Sequence, residues 1–128
     1  AAHQLRRPSS WRTVETLALG EAVASAPGPV LVDCLGTWLT RLFDTWQAWE
    51  ADESTWLPQP DTEVSGLVSA IAGHAGDVVV VTNEVGWGLV SEYRSGRLFA
   101  DHLGRTNQRV AQACDRVVLM VAGRPLDT

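Results

Sequence analysis

Four consecutive valines, Val78-Val79-Val80-Val81, follow Gly76-Asp77 and restrict the fold of this chain more than any other stretch. Branching at Cβ limits side-chain rotation in a helix and suits an extended backbone, so the run predicts a strand. Val30-Leu31-Val32, after a Pro/Gly turn, reads as a second strand, covered on both faces in a parallel sheet and stopping at Asp33. Val117 to Val121 predicts a last buried strand, closed by Gly123 and Pro125. Helical patterns separate these runs. Leu17 to Ala26 ends at Pro27-Gly28. Thr37 to Glu50 carries Leu39, Leu42, Phe43, Trp46 and Trp49 on one stripe. Thr62 to His74 uses Val64, Leu67, Val68 and Ile71, and a long helix over Ser91 to Cys114 has Gly104 as its weak point. Strands alternating with helices imply βαβ units, because a parallel neighbour is reached through a crossover. The expected architecture is one α/β domain over residues 1–128, with a mostly parallel sheet flanked by helices. Trp11 to Thr16 alternates with period two and predicts a short extended segment. Ala51 to Asp61, acidic and proline-containing, predicts a loop.

Composition excludes several chemistries. A length of 128 residues with 45% hydrophobic residues suits one core. All ten cationic residues are Arg, so these residues supply neither a Schiff-base lysine nor the lysine of a phosphate-binding P-loop. The net charge of −5 disfavours general nucleic-acid binding. Cys34 and Cys114 form no C-x-x-C pair, which argues against a metal ribbon or disulfide framework and for a reducing compartment, the cytoplasm. The apolar runs fall well short of the roughly 20 residues that cross a bilayer, so no membrane partner is expected.

In open parallel sheets, ligands bind beyond the carboxyl ends of the strands, where this chain places Asp33-Cys34 and Thr82-Asn83-Glu84. A carboxylate at a strand tip suits Mg2+ bound to a nucleotide's phosphates. Asp33 also suits the cap of the helix that follows. Asn83 and Glu84 fit a substrate or metal contact, or a turn held by the Asn side chain. Gly86-Trp87-Gly88 lacks the remainder of a dinucleotide fingerprint. His3-Gln4-Leu5-Arg6-Arg7-Pro8 sets an imidazole near two guanidiniums, a nucleophile or base beside planar forks for phosphate oxygens. The alternative is a solvated terminal histidine. Trp38, Trp46 and Trp49 read as core or subunit contact, with a platform for a flat ligand as the minority reading. The two cysteines read as small buried residues, and His74 and His102 lack ligand spacing for zinc. Arg105, Asn107, Gln108 and Arg109 read as the polar face of a helix.

Five segments, taken in order, carry a resemblance. They are His3-Gln4 through Arg7-Pro8; Trp11-Arg12-Thr13-Val14-Glu15; Val30 to Leu35 with Trp38-Leu39-Thr40; Val81-Thr82-Asn83-Glu84-Val85-Gly86-Trp87-Gly88; and Gly104 to Ala111 running into the last strand. The ordered set resembles the bifunctional adenosylcobinamide kinase/adenosylcobinamide-phosphate guanylyltransferase family of cobalamin biosynthesis. That resemblance implies a P-loop NTPase-like fold. It implies that His3 attacks the α-phosphate of GTP and carries GMP as a phosphoramidate, which adenosylcobinamide phosphate then takes up to give adenosylcobinamide-GDP. It further implies that Gln4, Leu5, Arg6 and Arg7 hold the guanine nucleotide and that Glu15 and Asp33 are acidic nucleotide- or metal-binding positions. Mg2+ is the implied cofactor, ATP or GTP the donor for phosphorylating adenosylcobinamide, and a homo-oligomer the implied assembly. The family's opening strand and Gly-Lys-Ser loop do not precede His3 in these residues. The expectation is therefore an N-terminally shortened version of a longer enzyme, with a noncatalytic remnant that keeps oligomerisation or weak nucleotide binding as the alternative.

Overall fold

The structure, a computed structural model, describes residues 6–128. Its parallel pair is formed by β1 (Val30–Asp33) and β2 (Val78–Val81), in the register Val30↔Val78 through Asp33↔Val81. Before β1 lies α1 (Leu19–Ser25). Between the strands run α2 (Leu35–Trp46), a 3-10 turn (Glu53–Thr55) and α3 (Gln59–Gly73); after β2 comes α4 (Arg94–Gln112) and then β3 (Val118–Val121) and β4 (Arg124–Asp127). This is an α/β arrangement with a small parallel sheet flanked by helices, as the alternation of runs predicts.

The helix boundaries have local causes. Thr37 predicts the start of α2, but the helix begins two residues earlier, at Leu35, capped by Cys34, whose Sγ accepts the Thr37 N–H at 3.5 Å. Asp33 is therefore not the cap. The same helix stops at Trp46, before the turn residues 47–50, because Gln47 turns left-handed at φ 55° and sends its N–H back to Asp44 O. Helix α3 starts at Gln59, inside the expected loop, since Pro60 in the first turn has no N–H that the helix needs.

Alternating residues of the parallel strands divide between two environments. Val32 is buried and Val30, Val78 and Val80 are half-buried against the helices, whereas Leu31, Val79 and Val81 are exposed. Coverage on both faces, expected from the continuous apolar runs, is thus corrected: one face packs and the other is open. Two further expectations fail because neither segment joins the parallel sheet. Trp11 to Thr16 is irregular, with Trp11 and Val14 exposed. The last strand is not buried in the parallel sheet; β3 pairs antiparallel with β4 through a two-residue turn at Ala122 and Gly123, with φ of 50° and 76°. Positive φ at both turn residues matches the right-handed twist of a hairpin. Pro125 is accommodated in this exposed pair, and Arg116 grips Asp127 by two bonds of 2.6 and 2.7 Å at the hairpin's base.

The apolar stripe of α2 organises the core. Leu35, Leu39 and Phe43 are buried together with Leu67 of α3 and Leu103 of α4. Helix α1 crosses α3 at a glycine contact, where a Cβ on Gly20 would stand 2.9 Å from the Gly66 carbonyl carbon. The tryptophans of the stripe are core, as read: Trp38 is buried and donates Nε1–H to Leu17 O at 2.8 Å, while Trp46 and Trp49 are half-buried around Phe43. Phe43 also meets Trp56 and His102, with ring centroids 5.3 and 5.2 Å away. His102 is only 7% exposed, and the Arg105 guanidinium lies 3.2 Å from its Nε2. A guanidinium can only donate, so the imidazole accepts and is neutral there.

Burial, reinforced by the positive charge of Arg105, lowers the His102 pKa from its ordinary 6.5, against the opposing pull of Glu53, Asp101 and Asp61. Below that ordinary value the unfolded chain binds a proton that the folded chain refuses. Stability is therefore complete above about pH 6.5 and declines as pH falls toward the folded value, by at most about 1.4 kcal/mol per pH unit for one proton. Thermal melting from about pH 7.5 to about pH 5.5 is expected to show this decline, and His102→Phe to flatten it; equal slopes for the two proteins contradict the assignment.

Candidate active site

Parallel pairing brings the carboxyl ends of β1 and β2 side by side, with Asp33 opposite Val81. Asp33 follows Leu31 on the open face of the sheet, because residues two apart share a face. Both line a crevice of about 300 Å³ whose other walls are Arg6, Arg7, Pro8 and Trp11. Three residues singled out from sequence, Arg6, Arg7 and Asp33, therefore meet in one place. Arg7 is braced by donating to Thr13 Oγ1 at 3.2 Å. Among the described residues the ion pairs are Arg109–Asp61 and Arg116–Asp127, so the crevice guanidiniums and Asp33 belong to none of them. Such an arrangement can bind an anion through the forks and leave a carboxylate for a cation. His3, Gln4 and Leu5 lie outside the described residues.

The remaining candidates lie elsewhere. Glu15 is exposed on the segment after Trp11 and does not line the crevice. Asn83 and Glu84 follow the neighbouring strand and do not line it either. Glu84 holds its own loop: Oε1 accepts the N–H groups of Val85 and Gly86 at 2.9 and 3.0 Å. The turn read at Asn83 is thus secured by the Glu84 side chain. Asn83 instead reaches over the first turn of α2, where its Oδ1 would be 2.9 Å from a Cβ on Gly36. Asn107 of α4 fastens this strand end, accepting from Thr82 Oγ1 at 2.6 Å and donating to Asn83 O at 2.9 Å.

Other polar residues are structural. Arg109 donates to Ser65 Oγ at 2.7 Å and pairs with Asp61 at 3.6 Å, tying α4 to α3. His74 donates to Gly28 O at 2.7 Å. Burial, and then the charge of Asp115, raises the Cys114 pKa, which keeps that thiol protonated. Among the described residues, no three of His, Cys, Asp and Glu gather closely enough to hold a metal by themselves. The apolar character of Trp11 and Leu31 signals only a sheet, with no sign of the crevice. Asn107 reads as part of a polar helix face because its contacts depend on a strand over 20 residues away.

The Gly36 contact falls on the movable end of the Asn83 side chain. Gly36→Ala is accordingly expected to change global stability by less than about 1 kcal/mol, the scale of helix propensity, while displacing the Asn83 amide. Denaturant unfolding and the side-chain amide signal of Asn83 in NMR spectra read the two effects; an unmoved signal contradicts the contact.

The family model described as cobinamide kinase / cobinamide phosphate guanyltransferase matches residues 1–128. The bifunctional adenosylcobalamin biosynthesis protein CobP of Pseudomonas aeruginosa is 36% identical over 130 aligned positions, covering 98% of this chain and 70% of that protein. The bifunctional adenosylcobalamin biosynthesis proteins CobU of Escherichia coli and Salmonella typhimurium are 38% and 36% identical, each alignment covering 94% of this chain and 71% of the relative. A match along the full chain, with relatives of this identity covered over most of their length, means that the chain belongs to the cobinamide kinase / cobinamide phosphate guanyltransferase family.

Proposed function

We propose that this chain transfers GMP from GTP to adenosylcobinamide phosphate through a guanylyl-histidine at His3, giving adenosylcobinamide-GDP, and that the enzyme also phosphorylates adenosylcobinamide with ATP or GTP. The observation that carries the reading is the meeting of Arg6, Arg7 and Asp33 in one crevice beside the strand ends, in a chain of this family. Three peptide links separate His3 from Arg6, a reach of at most about 10 Å, so a nucleotide at the guanidiniums is within range of the imidazole.

In this reading a ring nitrogen of His3 attacks the α-phosphorus of GTP. The N–P bond forms, the bond from that phosphorus to the bridging oxygen breaks, and pyrophosphate leaves with the electron pair. A phosphate oxygen of adenosylcobinamide phosphate then attacks the same phosphorus and releases the histidine. Splitting the transfer in two replaces one difficult displacement with two easier ones. Arg6 and Arg7 donate to the phosphate oxygens as charge redistributes, and Gln4 and Leu5 belong to the same nucleotide-holding stretch. Mg2+ fits the exposed carboxylate of Asp33, because this ion is commonly held by one or two carboxylates with the remaining positions on phosphate and water; when bound it neutralises phosphate charge. Glu15, Asn83 and Glu84 are assigned secondary contacts with nucleotide, substrate or metal, Glu84 through the oxygen that its loop leaves available.

The finer fold assignment, a P-loop NTPase-like sheet, is part of the same proposal, as are a homo-oligomer and a cytoplasmic location. Among the described residues no helix is long and apolar enough to cross a membrane.

Incubation with α-labelled GTP and Mg2+ is expected to place acid-labile, alkali-stable label on the protein, and His3→Ala to abolish it. Arg7→Ala is expected to slow labelling by about 100-fold, the usual effect of removing one charge-stabilising donor. Label that survives His3→Ala overturns the nucleophile. Calorimetric GTP binding with no label favours the noncatalytic alternative.

A further inference from the structure

One carboxamide on α4 grips two successive residues at the end of β2. Asn107 Oδ1 accepts the Thr82 hydroxyl at 2.6 Å, and Asn107 Nδ2 donates to the Asn83 carbonyl at 2.9 Å. Three residues earlier on the same helix face, a Cβ on Gly104 would be 3.8 Å from Val85 Cγ2. Residues 82–85 run past the parallel ladder, which ends at Val81, so α4 rather than the sheet fixes their course. That helix is a firm support. Leu103, Thr106 and Val110 are buried, and Arg109 ties α4 to α3 through Ser65.

The grip controls where the Asn83 side chain sits. Its Oδ1 lies against the first turn of α2, 2.9 Å from where a Cβ on Gly36 would stand. Asp33, the crevice carboxylate, enters α2 through that same turn. The Asn83 carboxamide makes no hydrogen bond among the described residues, so its place depends on the backbone that Asn107 holds. A polar group fixed through its backbone and uncommitted at its tip is preorganised, because its supporting contacts are already made before a ligand arrives.

We infer that Asn107 is a positioning residue for the transfer reaction. It touches no substrate and acts by setting the Asn83 carboxamide at the start of α2, directly after Asp33. The inference rests on the proposed function, in which Asn83 contacts nucleotide, substrate or metal.

Asn107→Asp keeps the shape and still accepts from Thr82, but as a carboxylate it has no donor for Asn83 O. Asn107→Ala loses both bonds. Single-turnover labelling of the full chain by α-labelled GTP, and discharge of that label to adenosylcobinamide phosphate, read the two half-reactions. Both variants are expected to slow at least one of them about tenfold or more, the scale on which a small misplacement acts, with GTP affinity by calorimetry kept within about threefold. Circular dichroism and thermal melting verify that the variants fold. Unslowed half-reactions in Asn107→Asp overturn the inference, as does a rate loss matched by an equal loss of GTP affinity, which a merely loosened fold gives. The side-chain amide signal of Asn83 in NMR spectra of the free protein is expected to shift in Asn107→Asp, and an unmoved signal overturns the positioning whatever the activity. Label on the wild-type chain with unslowed variants defeats the positioning alone. No label on the wild-type chain defeats the proposed transfer, and the role of Asn107 in it.

Discussion

Parallel pairing of Val30–Asp33 with Val78–Val81 is the constraint on which the rest of the structure depends. Two parallel strands cannot be joined by a hairpin, so everything between them must travel back along the sheet. Here that return is made by α2 and α3, and their apolar faces become the core because they are carried over the inner side of the strands. The same pairing aligns the strand ends. Backbone direction makes Asp33 and the segment after Val81 emerge next to each other, and of the two it is Asp33 that lines the crevice with Arg6 and Arg7.

The core beneath that edge is unusually aromatic and not wholly apolar. Phe43 is ringed by Trp46, Trp49, Trp56 and His102, while the Nε1 of buried Trp56 has no hydrogen-bond partner among the described residues. An unsatisfied donor costs about 1–3 kcal/mol, and the neutral His102 adds an acid-sensitive component. These losses are offset by burial of the α2 stripe against Leu67 and Leu103, both 0% exposed. Arg94 secures the periphery of the cluster by donating to Trp49 O and Ala51 O at 2.6 and 2.9 Å.

Legibility followed the range of the interaction responsible. Helix stripes and strand runs arise from neighbours along the chain, so α2, α3, α4 and the parallel pair were readable to within a few residues. Asp33, Arg6 and Arg7 were readable as candidates from residue chemistry and from family resemblance. Their common crevice was not, since no local pattern says that the segment around Trp11 folds over Leu31. Glu84 shows the converse: a carboxylate that suggests metal chemistry is largely occupied in holding two amides of its own loop. The hairpin β3–β4 was misread because an apolar run and a following glycine fit either a buried strand or a turn, and only its partner distinguishes them.

By itself the sequence determined the α/β class, the two parallel strands, the α2 core stripe and the family. These depend on side-chain branching, helical periodicity and ordered motifs, which are properties of the chain whatever its surroundings. Tertiary structure alone decided which sheet face stays open, that Cys34 rather than Asp33 caps α2, that Asn107 fastens the end of β2, and that the guanidiniums of Arg6 and Arg7 share a crevice with Asp33. The Cys34 cap is a local contact, three residues along the chain, that residue chemistry favouring Asp at a cap obscured; the others depend on segments far apart in the chain, which the parallel pair brings together.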